Sequence, residues 1–136
     1  MALDPKHYES LARFRYGLRR FLALSESLTR SAGVTTTQYQ ALLAIKAWSG
    51  GPMSIKDLAE QLLLKHNAAV QLVNRMAEAG LAARHPSSED RRSVHLALTA
   101  RGETVVSELA AHHLEGLLSQ ESWLAEALLR LRTLSA

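Results

Sequence analysis

The chain has 136 residues, 47% apolar and 21% charged, with 7 glycines and 3 prolines, the balance of a globular domain rather than a disordered or fibrous chain. It contains no cysteine, which excludes disulfide scaffolds, thiolate zinc sites, cysteine nucleophiles and thiol-based redox sensing by these residues. No stretch is apolar enough for a membrane span. Asp4, Lys6 and Glu9 stand where a secretory signal needs an apolar centre, so a soluble cytoplasmic protein is expected. Sixteen Lys and Arg oppose thirteen Asp and Glu, and the excess is uneven: residues 103–136 are acidic, whereas the preceding chain is basic.

From about His7 to Ser31, Leu11, Phe14, Leu18, Phe21, Ser25 and Leu28 recur at three- and four-residue intervals, which predicts a helix. Some 25 residues make a rod of ~37 Å, longer than one face of a small domain covers, so part of it needs another partner. Gly33 ends the rod, and Thr35 to Thr37 offer caps for a second helix reaching about Trp48. Gly50, Gly51 and Pro52 break the chain. Ser54, with Asp57 three residues on, then starts a short third helix whose inner stripe is Ile55, Leu58, Ala59 and Leu62.

A turn around Leu63 to Lys65 leads into a fourth helix, about His66 to Ala79. There Ala69, Leu72, Val73 and Met76 face inward and Gly80 takes the stop position. Leu81 to Arg84 and Ser93 to Leu98 predict two short strands. Between them His85 to Arg92 carries turn-forming residues with a basic end, so the pair reads as a β-hairpin. Thr99 suits the cap of a fifth helix toward Leu117, and Ser122 the cap of a sixth carrying Trp123, Leu124, Leu128, Leu131 and Leu134.

Helix, turn, helix and hairpin over Ser54 to Leu98 is the order of a winged helix-turn-helix. Five stretches fall in the order and spacing of one family: Leu58-Ala59-Glu60, Leu72-Val73-Asn74-Arg75-Met76, Gly80-Leu81, Asp90-Arg91-Arg92 and Leu98-Thr99-Ala100-Arg101-Gly102. With them the chain resembles the MarR family of bacterial transcriptional regulators over nearly its whole length. The resemblance implies a mainly α fold with a small β-hairpin wing in a single domain, residues 1–136. A DNA-binding unit over 35–99 would be flanked by dimerisation helices at 7–31 and 100–136.

On the fourth helix His66, Asn67, Val70, Gln71 and Asn74 form one stripe opposite the core stripe, a face that suits a major groove. Asn and Gln can bond two edges of adenine, Val70 can touch a thymine methyl, and Lys65 and Arg75 suit phosphates or buttressing. At the hairpin tip Arg91 and Arg92 suit a narrow minor groove. The resemblance favours Arg92 as the inserting residue and Asp90 as the one that orients the loop, by pairing with Arg75 or Arg84. Lys65-His66-Asn67-Ala68 replaces the family's commoner run of Ser and Thr, so the operator cannot be carried over.

The resemblance further implies a homodimer on a near-palindromic operator, acting as a ligand-responsive repressor released by a small aromatic or phenolic effector. Arg15, Tyr16, Tyr39 and Trp48 are candidates to line such a pocket, which needs apolar walls and a cationic or hydroxyl group. No cofactor and no metal is expected. Glu108, His112 and Glu115 share a helix face, but the adjacent His112 and His113 point about 100° apart. No phosphate-binding glycine loop, nucleophile elbow or paired-histidine zinc motif suggests an enzyme. The competing reading is a winged-helix protein-interaction module that does not bind DNA.

Overall fold

Short polar side chains open four of the helices. Asp4 Oδ1 accepts from the backbone N–H groups of Lys6 (2.8 Å) and His7 (3.3 Å). Thr35 and Gln38 exchange reciprocal bonds of 3.0 Å, and Ser54 and Asp57 do the same at 3.0 and 2.9 Å, both complete capping boxes. Thr99 Oγ1 accepts from Gly102 N–H at 3.0 Å. In the computed structural model, which describes residues 2–86 and 94–135, these residues precede α1 (Pro5–Ser31), α2 (Thr36–Ala47), α3 (Ile55–Leu62) and α5 (Ala100–Ser135). Between α3 and α5 come α4 (His66–Glu78) and the strands β1 (Ala82–Pro86) and β2 (Val94–Leu98).

The strands form the expected antiparallel hairpin, with Ala82 opposite Leu98, Arg84 opposite Leu96 and Pro86 opposite Val94. Met53 adds a one-residue bridge to Leu96, whose N–H donates to the Met53 carbonyl at 2.8 Å. The expectation of separate fifth and sixth helices is wrong: α5 runs unbroken for 36 residues. Ser122 can cap a helix, but no glycine or proline lies between Gly116 and the end of the chain to stop the preceding one, so helix propagation wins. The side chains of 120–124, Trp123 and Leu124 among them, lie outside the described residues.

The chain divides into two compact units, 1–28 with 111–136, and Thr29–Ala110. The first is an antiparallel helix pair. The His7 ring approaches the Leu134 carbonyl (3.4 Å), and His113 Nε2 is 2.8 Å from Ser25 Oγ with the Phe21 ring edge-on at 6.2 Å. Ser10 and Ser25 are buried in the seam, whereas Leu11, expected there, is 46% exposed. The small serines let the helices approach; Ser25 lies where the spacing puts it, whereas Ser10 takes the place expected of Leu11.

The second unit holds the best-formed core. Leu42, Leu58, Met76 and Leu81 are fully buried, with Val73, Val106 and Leu109 beside them. Gly80, at φ +71°, closes α4 in a Schellman motif: its N–H donates to Ala77 and the Leu81 N–H to Met76 (3.0 and 2.9 Å). The start of α5 ties onto this turn, because Thr99 Oγ1 donates to the Gly80 carbonyl and Arg101 Nη1 to Ala79, both at 2.6 Å. That close approach explains Gly102, where a Cβ would lie 2.0 Å from the Leu81 carbonyl oxygen.

Candidate nucleic-acid interface

α4 has the two faces its sequence predicts. Ala69, Leu72, Val73 and Met76 are buried, whereas Lys65, His66, Asn67, Gln71, Asn74 and Arg75 are exposed and Val70 is half-buried. The stripe proposed for base contact therefore projects away from the core. Lys65 occupies the N-cap without a side-chain capping bond, and Asn67 Oδ1 accepts from the adjacent Ala68 N–H (3.0 Å). The positive end of the α4 dipole thus has a cation and amides around it rather than a carboxylate.

The turn into α4 is tight. Leu63 adopts the left-handed conformation (φ 55°), with the Leu63 and Leu64 N–H groups donating to Glu60 and Ala59 (3.3 and 2.9 Å). Its side chain is 93% exposed, so the Leu63 conformation is held by the backbone turn and not by packing.

A cleft of about 340 Å³ runs between the first turn of α2 and α4, lined by Thr35, Thr37, Gln38, Ala68, Gln71 and Arg75. It places threonine side chains and the start of a helix beside Gln71 of the expected reading face and beside Arg75. The sequence reading missed this neighbourhood. The run Thr35-Thr36-Thr37 was the available signal, but capping alone accounts for it, and the cleft joins residues of separate elements.

The hairpin base reaches the same face. Arg84 Nη2 on β1 donates to Asn74 Oδ1 on α4. Arg84, one of the two candidates to pair with Asp90, thus has a described partner in Asn74. The two-edged contact with adenine expected of Asn74 needs the same oxygen, which now serves Arg84 as well. Asp90, Arg91 and Arg92 lie outside the described residues.

Comparison with known proteins shows what this arrangement is similar to. The model of the MarR family matches residues 32–93. The organic hydroperoxide resistance transcriptional regulator of Bacillus subtilis (strain 168) is 38% identical over 69 residues, 51% of this chain and 46% of that protein. A MarR family transcription regulator of known structure superposes with a TM-score of 0.76 at 25% identity, covering 94% of this chain and 84% of the other. Over residues 32–93 the chain is similar to the MarR family. A mutant of Staphylococcus aureus MepR solved with an oligodeoxyribonucleotide has the same fold (TM-score 0.68, 21% identity, 94% of this chain and 96% of that one). The proteins matched are transcriptional regulators rather than enzymes, and the chain spans about half the length of the curated relatives it matches.

The four candidate pocket residues divide between the two units. Arg15 and Tyr16 are exposed on α1, in the helix-pair unit, where the Arg20 guanidinium lies 5.9 Å from the Tyr16 ring centre. Tyr39 and Trp48 belong to the other unit. Tyr39 is a core residue, and burial pushes its phenol pKa above the ordinary 10.0. Trp48 lines a cleft of about 290 Å³ with Lys46, Pro52, Met53, Ala97 and Glu103, and its indole Nε1 is buried without a hydrogen-bond partner among the described residues. Lys46 and Glu103 close one side as an ion pair at 2.8 Å. Of the residues weighed for metal, Glu108, His112 and Glu115 are exposed, whereas His113 is committed to Ser25.

Proposed function

We propose that this chain is a sequence-specific DNA-binding transcriptional regulator, a repressor that binds a near-palindromic operator as a homodimer. The carrying observation is the exposed amide and imidazole stripe of α4 directly behind a buried Ala69, Leu72, Val73 and Met76 stripe. In that reading α4 enters the major groove and Gln71 reads base edges. Asn74, braced by Arg84, supplies its amide N–H groups, and Lys65, Arg75 and the Thr35 to Gln38 turn hold phosphates. Arg92, with Arg91 beside it, takes the minor groove and Asp90 orients the loop. The family match and the DNA-bound MepR fold support this reading.

The exposed surface of the helix pair supports a dimer. Tyr8, Leu11 and Leu22 on α1 and Leu118, Leu128 and Leu129 on α5 are 46–61% exposed, an apolar surface that two isolated helices cannot cover. A second copy presenting the same helices would bury it, leaving 35–99 as the DNA-binding unit between dimerisation segments 7–31 and 100–136. Two recognition helices would then address half-sites about one helical turn apart, ~34 Å.

The effector class proposed is a small aromatic or phenolic acid. Of the four candidates, Trp48 is best placed, because it lines a cleft of about 290 Å³ that also holds the cationic Lys46. Such a ligand releases DNA only by favouring a dimer whose helices are mis-spaced for the groove.

The test is to select fragments of the source genome that bind the purified protein. Recovery of discrete, two-fold-symmetric sites, together with sedimentation at twice the chain mass, supports the proposal. A monomer that enriches no fragment overturns it in favour of a protein-interaction module.

A further inference from the structure

The hairpin carries two histidines directly opposite one another. The β1–β2 register pairs His85 with His95, and their rings stand 5.6 Å apart, centre to centre, inclined by 31°. Side chains alternate along a strand, and Leu96 is the position turned into the core. His85 and His95, with Ala83 and Ala97, therefore share the opposite face, away from the Arg84–Asn74 contact. His85 is exposed and His95 half-buried. The Nδ1 of His95 is inaccessible to solvent and finds no hydrogen-bond partner among the described residues. A buried ring nitrogen in that state has lost water and gained nothing in return.

We propose that His85 and His95 form a two-imidazole site for a borderline divalent transition ion, Zn²⁺ or Cu²⁺. An imidazole nitrogen binds Zn²⁺ at about 2.0–2.1 Å, which puts each ring centre about 3.1 Å from the ion and two rings on a tetrahedral ion about 5.1 Å apart. The observed separation of 5.6 Å lies within a small rotation of either side chain from that value. The donor set selects the metal: imidazole suits zinc and copper, whereas calcium and magnesium need oxygen ligands. Among the described residues no group of three or more His, Asp or Glu side chains could hold an ion, so water or an external ligand fills the remaining positions. Binding is then moderate and reversible. The ion acts as a clip between β1 and β2, one residue pair before Pro86 and Val94, where the hairpin leads into the segment carrying Arg91 and Arg92.

The experiment is a Zn²⁺ titration of the full chain against a chromogenic indicator, with thermal unfolding recorded with and without Zn²⁺. One ion per chain is expected, with a Zn²⁺-dependent rise in Tm. His85→Gln and His95→Ala should each weaken binding at least tenfold and abolish that rise, whereas His112→Ala should leave both intact. Because His85 is exposed, His85→Gln carries the test even if His95→Ala fails to fold. Wild-type affinity in His85→Gln, or no saturable binding to the wild type, overturns the site and leaves the rings as a stacked pair. Neither readout involves DNA, so the site and the regulatory reading stand or fall separately.

Discussion

Replacing Gly102 with alanine sets two physical effects of opposite sign against each other. Gly102 lies inside α5, where helix propensity alone makes alanine more stable by about 1 kcal/mol. The added Cβ, however, would sit 2.0 Å from the Leu81 carbonyl oxygen, a backbone atom that cannot rotate aside. Reaching an ordinary carbon–oxygen contact of about 3.3 Å requires the start of α5 and the α4–β1 turn to separate by about 1.3 Å. The 2.6 Å bonds from Thr99 to Gly80 and from Arg101 to Ala79 do not survive that shift, nor does the 3.1 Å bond from Thr99 N–H to Leu81.

At about 1 kcal/mol for each bond, discounted because two of them are exposed, and about 1–3 kcal/mol for overpacking, the loss is roughly 3–4 kcal/mol. After the propensity gain, Gly102→Ala should be about 2–3 kcal/mol less stable, a fall in Tm on the order of 10 °C for a chain of this size. Thermal and urea unfolding followed by circular dichroism decide it. A variant as stable as the wild type, or more so, would show that the α5–turn junction does not constrain the domain.

Other substitutions probe other joints. Leu63→Gly relieves a left-handed backbone at an exposed side chain, so a gain of about 0.5–1 kcal/mol is expected in urea unfolding; a loss would mean the leucine packs after all. Burial raises the Tyr39 phenol pKa, so the stability tied to that proton is fully present below the unfolded value near 10 and is lost as pH rises through the higher folded one. Tyr39→Phe should therefore flatten the alkaline fall in Tm, and an unchanged slope would remove Tyr39 as its source. Arg92→Ala should weaken operator binding and reduce its salt dependence without changing Tm; equal affinity at fixed salt would take the hairpin tip out of recognition.

The parts of the fold governed by local chemistry were legible in the sequence. Ser54 and Asp57 announce a capping box, Gly80 announces the end of α4, and the alternation of Ala69, Leu72, Val73 and Met76 with His66, Asn67, Gln71 and Asn74 divides that helix into a core face and an outer face. What escaped depends on distant residues. Leu11 against Ser10 is a choice of one position around α1, decided by packing against α5. The continuity of α5 escaped because Ser122 is compatible with a cap and with a helix interior alike.

The Arg84–Asn74 bond and the cleft beside Thr35 join residues from separate elements, so no local pattern encodes them.

The most direct trial of the outer face of α4 is site selection from a random duplex library, run in parallel with the wild type and Gln71→Ala. The wild type should enrich paired half-sites about 10 bp apart, and Gln71→Ala should change the preferred bases while the spacing persists. The same consensus from both proteins, or none from either, would contradict base reading by this helix.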